Sequence, residues 1–378
     1  MTFSMRSLIA LGILAGNAAL VESLTPLASK SFPFTALPTQ ASGNDAGPRG
    51  PQSGFNNCNN STASDTSMCQ TLVFNSMTDF CVWGTPKPDE TIADTEAAEV
   101  AYCTSSQRGG RPIRPGSIFG AQWLYAKDYI QLSAFIDQAA FGLAPDDQGG
   151  ELDPHGADQQ GNPLGGIAFS NSFTKGFNAA KFNEQLTSGV LITSDQEEQL
   201  QEWVEFIGNG LVCVKMCTNT DPDRGLLCNH IYDEIGCAYN AVADYSQING
   251  TFTVCDSDDM AFPGIFTQSD GVVTTWTQPF SGTFSVPYVP TQVASSNCFT
   301  YESTQLFPNL AATPTTTAGS HPATATGENP GSTGSNAGSA GGPAPTSGPD
   351  SSAAVGVIAG PFTVIVGAML GAFITIFA

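Results

Sequence analysis

The sequence predicts a mainly β fold: a single disulfide-braced antiparallel domain, a sandwich or a distorted barrel, with little helix and with disordered segments on either side. Three observations carry that expectation. All ten cysteines fall between Cys58 and Cys298. Stretches rich in β-branched and aromatic residues alternate with turn residues through the same interval. Outside it, composition shifts to Pro, Ser, Gly, Thr and Ala, which cannot bury a core.

The elements follow in chain order. TLVFNSM, IFGAQWLYAKDYIQLSAFI, GIAFSNSF, FTVC and GVVTTWTQPFSGTFSVPYV read as strands. In SDQEEQLQEWVEFIGNGLVCVKMC two signals compete. Ser194 and Glu197 form a capping box, and Leu200, Trp203 and Ile207 fit a helical face. Asn209-Gly210 is a hairpin signal, and LVCVKMC alternates after it. The reading adopted is a hairpin with strands near 201–208 and 211–217, preceded by a short helical turn. CNHIYDEIGCAY is read as one short helix.

Cys58, Cys69, Cys81, Cys103, Cys213, Cys217, Cys228, Cys237, Cys255 and Cys298 make an even number, which predicts five disulfides in an exported chain without fixing their pairing. Zinc at Cys213, Cys217, Cys228 and Cys237 with His230 is the competing reading. The spacing departs from paired C-x2-C, which favours bridges.

Export is written at both ends. Residues 1–23 form a signal peptide, with Arg6 before an apolar run too short to span a bilayer. Residues 24–57 read as a flexible leader, 58–305 as the disulfide-rich β ectodomain and 306–354 as an O-glycosylated Ser/Thr/Pro-rich stalk. The uncharged tail 355–378 follows small residues and a polar spacer, the pattern of a GPI-attachment signal. Asn336 and Ser339 are the candidate attachment residues, and a retained membrane helix is the alternative. Asn59, Asn60 and Asn249 begin N-x-S/T sequons. The expected location is extracellular, on the cell surface or wall, held to the plasma membrane through a GPI lipid.

Charge narrows the function classes. The chain of 378 residues carries a formal net charge of −22, which repels phosphate backbones, so no nucleic-acid partner is expected. G-x-S-x-G, H-E-x-x-H and the Walker phosphate loop do not occur, and no cofactor is expected. NTDPDRG at 219–225 and DSDD at 256–259 read as turns.

The stretch GGELDPHGADQQGNPLGG, residues 149–166, gathers acids around a histidine. As a site, Asp153, His155 and Asp158, helped by Asp146, Asp147 and Glu151, suit a hard metal, a sugar or acid/base work, with Trp83, Trp123 or Trp276 as aromatic platforms. As a loop, the glycines supply positive φ, Asp and Asn cap turns, and Pro154 stiffens the chain. The composition favours the loop.

The stretches DFCVWG, ELDPHGAD and CNHIYDEIGCAYN, set in this cysteine order before a Ser/Thr-rich end, resemble the fungal macrophage-activating glycoproteins, the immunoreactive mannoproteins of the Cryptococcus kind. The resemblance spans about 58–300 and the C-terminal end. It implies a secreted, GPI-linked, non-enzymatic mannoprotein of the wall or membrane. Its partners would be cell-wall polysaccharide and, through mannose, host mannose-binding lectin receptors. An extracellular enzyme or a carbohydrate- or metal-binding module built on the His155 loop is the alternative.

Overall fold

A computed structural model describes residues 25–42, 49–188, 196–279 and 282–307, all within one compact unit. The signal segment, Ser194, most of the stalk, with Asn336 and Ser339, and the apolar tail lie outside them.

The strands run in chain order as β1 (Thr71–Ser76), β2 (Asp79–Gly84), β3 (Val100–Cys103), β4 (Arg111–Pro112), β5 (Ile118–Tyr125), β6 (Tyr129–Ile136), β7 (Gly150–Leu152) and β8 (Ile167–Ser170). They continue as β9 (Glu198–Leu200), β10 (Glu202–Gly208), β11 (Leu211–Cys217), β12 (Phe252–Ser257), β13 (Ile265–Thr267), β14 (Val273–Thr275) and β15 (Ser295–Tyr301). One sheet is six-stranded, β4-β3-β2-β1-β8-β9, and the other seven-stranded, β15-β12-β5-β6-β11-β10-β7. β13 and β14 form a separate hairpin.

The fold is therefore mainly β, and of the two architectures expected it is the sandwich; neither sheet closes into a barrel. The sheets are not wholly antiparallel. β1 pairs parallel with β8, β5 with β12 and β3 with β4. Parallel neighbours need long crossovers, and the first two pairs join strands far apart in the chain, Thr71 opposite Ile167 and Ala121 opposite Phe252. Local alternation carries no information about such pairing.

Strand alternation builds the core. On β10, Trp203 and Ile207 face inward, while Val204 and Phe206 face out under a separate cluster. Trp83 of β2 meets Trp203 with ring centroids 4.4 Å apart, and Phe74 of β1 stacks on Trp123 of β5 at 4.3 Å. These contacts lock the sheets face to face, and each fully buried ring contributes about 1.5–3 kcal/mol.

The predicted hairpin is present. Asn209 and Gly210, at φ 50° and 73°, make its turn, as a primed turn requires. The helical turn expected before it is instead strand β9, because Gln199 and Leu200 pair with Phe169 and Ala168 of β8. A helix from Ala179 to Ser188, not anticipated from sequence, packs Phe182 against Tyr301. Among the described residues of GVVTTWTQPFSGTFSVPYV, only Val273–Thr275 is strand.

The described part of the leader is not free. Leu27 and Ala41 are buried with Ile167 and Phe169 on the outer face of β8, and Phe34 sits edge-on to Phe169 at 5.1 Å. The Gln199 side chain accepts the Phe32 N–H and donates to the Lys30 carbonyl. Few apolar residues suffice here because the sheet supplies the rest of the surface. At the other end Leu306 and Phe307 are buried, so the packed domain continues past residue 305.

The ten cysteines form five bridges: Cys58–Cys69, Cys81–Cys103, Cys213–Cys237, Cys217–Cys228 and Cys255–Cys298. Two of these pin the segment 224–248 over the outer face of β11. The expected short helix lies in that cover, as a turn at Asp233–Ile235 followed by Gly236–Asn240.

Buried carboxyls give the fold a pH dependence. Glu205 lies between the sheets, fully buried, and accepts the Trp83 N–H with both oxygens at 2.9 and 3.1 Å. Burial pushes Glu205, Glu151 and Glu99 well above the usual carboxyl range. A raised acid binds its proton more tightly in the folded chain. Its stabilising effect is complete below the ordinary value of about 4.3 and declines as pH rises toward the folded values. Thermal unfolding is expected at a higher temperature at pH 5 than at pH 8, and Glu205→Gln should flatten the slope. A midpoint that is level or rises across that interval contradicts this.

Candidate functional site

The loop between β7 and β8 lies at the end of the seven-stranded sheet, beside β10. Asp153 and Asn162 pair through their backbones, closing the loop at its base. The Asp153 carboxylate accepts the N–H groups of His155 at 2.7 Å and Gly156 at 3.0 Å, an Asx-type cap that turns the chain. Gly156 has φ 63°, a region that favours glycine.

Arg49, from the packed leader, enters this loop. Its guanidinium grips the Asp158 carboxylate in a two-pronged pair at 2.5 and 3.0 Å and donates to the Gly161 carbonyl at 2.7 Å. It also donates to the Asn162 side chain, which donates to Glu96. Asp158 is accordingly held below the usual carboxylate range: burial acts to raise it, and the Arg49 hydrogen bonds, the backbone N–H groups and the Arg49 charge together outweigh that.

The structure distributes the acids of this stretch among separate tasks. Asp147 accepts the N–H groups of Ile92 and Gly149, and Asp146 is exposed. Glu151 is buried beneath the cover, where the fully buried Lys215 acts on its charge. Lys215 is pulled down to about 7 by burial, against the opposing pull of Glu151, and donates to the Met260 sulfur at 3.3 Å. The trio Asp153, His155 and Asp158, which the alternative reading takes as metal ligands, is divided in the structure: Asp158 pairs with Arg49, and Asp153 accepts backbone N–H groups. Among the described residues no group of three or more His, Cys, Asp or Glu side chains is arranged to hold a metal ion.

His155 does meet ionisable partners, from other elements. Its Nε2 lies 2.9 Å from Glu202 at the start of β10, and its ring stacks on His230 of the cover at 3.9 Å between centroids. Burial lowers the His155 pKa, but the hydrogen bond and charge of Glu202, with the charge of Asp153, outweigh it and raise the imidazole above its ordinary value. Burial and then the neighbouring His155 hold His230 below its own. The stack thus favours one proton on His155 and a neutral His230. This arrangement ties the loop, the sheet and the cover together, and provides one half-buried proton-binding ring.

Neither His230 nor Glu202 was assigned to this site from sequence. His230 lies 75 residues beyond His155, among cysteines that give it a different local context. The cysteines there are bridged as Cys213–Cys237 and Cys217–Cys228, as the spacing favoured over zinc. Trp83 and Trp123 are fully buried and provide no ligand platform, while Trp276 stacks on Tyr232 at 5.9 Å. Asn59, Asn60 and Asn249 are exposed. Two cavities in the domain, one near Ile118 and Thr251 and the other near Tyr239 and Tyr288, are lined by other residues than His155.

No protein-family model and no solved structure matches the chain. It is 34% identical over 259 residues to the appressorium protein ROW2 of Mycosarcoma maydis, covering 68% of this chain and 79% of that protein. It is 35% identical over 247 residues to the appressorium protein ROW1 of the same fungus, covering 63% of this chain and 53% of ROW1, so it spans about half the length of that relative.

Proposed function

This chain belongs to the family of the fungal appressorium proteins ROW1 and ROW2, and from that premise we propose that it is a secreted, non-enzymatic protein of the fungal cell surface. The observation that carries the reading is the bridge set. All ten cysteines of the chain lie in five disulfides, and such a framework forms and persists in oxidising compartments. The exposed sequons Asn59, Asn60 and Asn249 add accessible glycan acceptors.

In this reading the domain presents N- and O-linked mannose on a Pro/Thr-rich stalk, held to the plasma membrane by a GPI lipid and set against wall polysaccharide. The stalk composition and the apolar tail support the anchor. Host lectin receptors would recognise the mannose and not a peptide epitope. The acidic domain contributes a soluble, braced body, and the His155 loop contributes structure.

Surface biotinylation of intact cells tests this, followed by phospholipase release and endoglycosidase digestion. Labelling of the chain, release by the lipase and a drop in mass after digestion are expected. An unlabelled, intracellular chain of unchanged mass would reject the reading. Enzymatic removal of mannose should abolish binding to mannose-specific lectin receptors.

A further inference from the structure

An open groove of about 690 Å3 runs between the cover and the segment 260–291 that contains the β13–β14 hairpin. Aromatic rings form its wall. Phe266 and Tyr288 stack nearly parallel, at 6° and 4.7 Å, and Tyr239 meets Tyr288 edge-on at 5.5 Å. All three rings are half-buried, so each keeps solvent-facing surface. Gln268, Thr267, Ser269 and Thr291 bring amide and hydroxyl groups to the same lining, all exposed. Val289 stands at the rim and is 86% exposed.

The groove is also preorganised. The Tyr288 hydroxyl accepts the Gly264 N–H at 2.8 Å, which fixes the ring. The Tyr232 hydroxyl donates to the Trp276 carbonyl at 2.7 Å, which ties the hairpin region to the cover. The disulfides on either side of Lys215 pin that cover to the sheet.

Charge identifies the occupant. The chain carries a net charge of −22, yet among the described residues no Asp, Glu, Lys, Arg or His lines this groove. A charged ligand would find no counter-charge there, and a cation would be drawn to the acidic surface elsewhere. A lipid would leave the amide and hydroxyl groups unpaired. A sugar has both complements: apolar C–H faces that lie on aromatic rings, and hydroxyls that exchange hydrogen bonds with amides and hydroxyls. The volume falls within the range of small-ligand sites, about 300–1,000 Å3. We propose that the groove lined by Tyr239, Phe266 and Tyr288 binds a neutral oligosaccharide, the kind of chain presented by an uncharged wall polysaccharide. The proposal deepens the extracellular reading above by giving the domain a ligand, but it does not depend on the chain's own glycans.

The test uses the secreted protein itself, after enzymatic removal of its glycans so that self-binding is eliminated. It is titrated with soluble β-glucan oligosaccharides and with mannan oligosaccharides, and sedimented with insoluble glucan and chitin. Saturable binding with a Kd of about 1 mM or tighter is expected, unchanged between low and high salt. Val289→Asp changes a side chain with almost no packing, and Tyr239→Ala removes one platform. Each should weaken binding at least about tenfold while the thermal midpoint of Val289→Asp stays that of the parent. No binding to any neutral glycan overturns the proposal. So does binding that ignores both variants, or binding that salt abolishes. Self-association that Val289→Asp removes, without glycan binding, would assign the groove to a second copy instead. Surface labelling of cells bears on location alone, so failure of one reading is distinguishable from failure of the other.

Discussion

Reducing and alkylating the purified chain is expected to abolish its cooperative thermal transition. Each of the five bridges restricts the unfolded chain and contributes about 2–4 kcal/mol. Their combined effect is of the order of the whole net stability of a domain, about 5–15 kcal/mol. The loops closed are unequal, with sequence separations of 11 for Cys58–Cys69 and 43 for Cys255–Cys298. The cover depends on two of them, because Cys213–Cys237 and Cys217–Cys228 are its covalent ties to β11. Losing these frees His230 from His155 and exposes Lys215. Far-ultraviolet melting with and without a phosphine reductant checks this. A reduced chain that melts cooperatively near the oxidised midpoint would show that packing alone suffices.

Trp123→Ala is expected to cost about 3–5 kcal/mol, the range for removing a large aromatic from a core. Trp123 has no exposed surface and touches both sheets: Phe74 at 4.3 Å and Phe80 at 6.0 Å from one, and Tyr125 at 6.0 Å from its own strand. Its indole N–H has no hydrogen-bond partner, so the loss is one of packing and cavity formation. For a domain of this size the midpoint should fall by roughly 6–20 °C. Val289→Asp is the matched surface control and should leave the midpoint in place. A shift under about 2 °C for Trp123→Ala would mean that the sheets are not joined there.

Local signals in the sequence were readable where the structure is local. Asn209-Gly210 with alternating flanks identified the β10–β11 hairpin because turn chemistry and register lie within one short stretch. The strand nature of TLVFNSM, FTVC and the stretch that holds β5 and β6 was legible for the same reason. The oxidised cysteines were expected, but their partners were not: Cys81–Cys103 and Cys255–Cys298 join neighbouring strands, and the other three bridges reach segments outside the sheets.

What escaped was decided at a distance. The leader reads as coil because its order comes from Phe169 and Gln199, far along the chain. β9 reads as a helical turn because its pairing with β8 overrides a local cap. The parallel pairing of β1 with β8 has no signature in either strand. The His155 loop shows the same limit. Its own residues offered both a structural loop, which the composition favoured, and a metal or acid/base site, yet Arg49, Glu96, Glu202 and His230, all outside it, determine what its acids do. Arg49 converts Asp158 from a free ligand into half of an ion pair, and Glu202 converts His155 from a loose base into a tie between the sheet and the cover.

The central claim is that the domain is built for an oxidising exterior, with its whole cysteine complement committed to structure. Differential thiol alkylation of the chain taken from intact fungal cells, followed by non-reducing peptide mapping, tests it most directly. The account predicts no thiol accessible before reduction, and peptides linked as Cys58–Cys69, Cys81–Cys103, Cys213–Cys237, Cys217–Cys228 and Cys255–Cys298. Free thiols at any of these positions in the folded protein, or a different set of links, would contradict it.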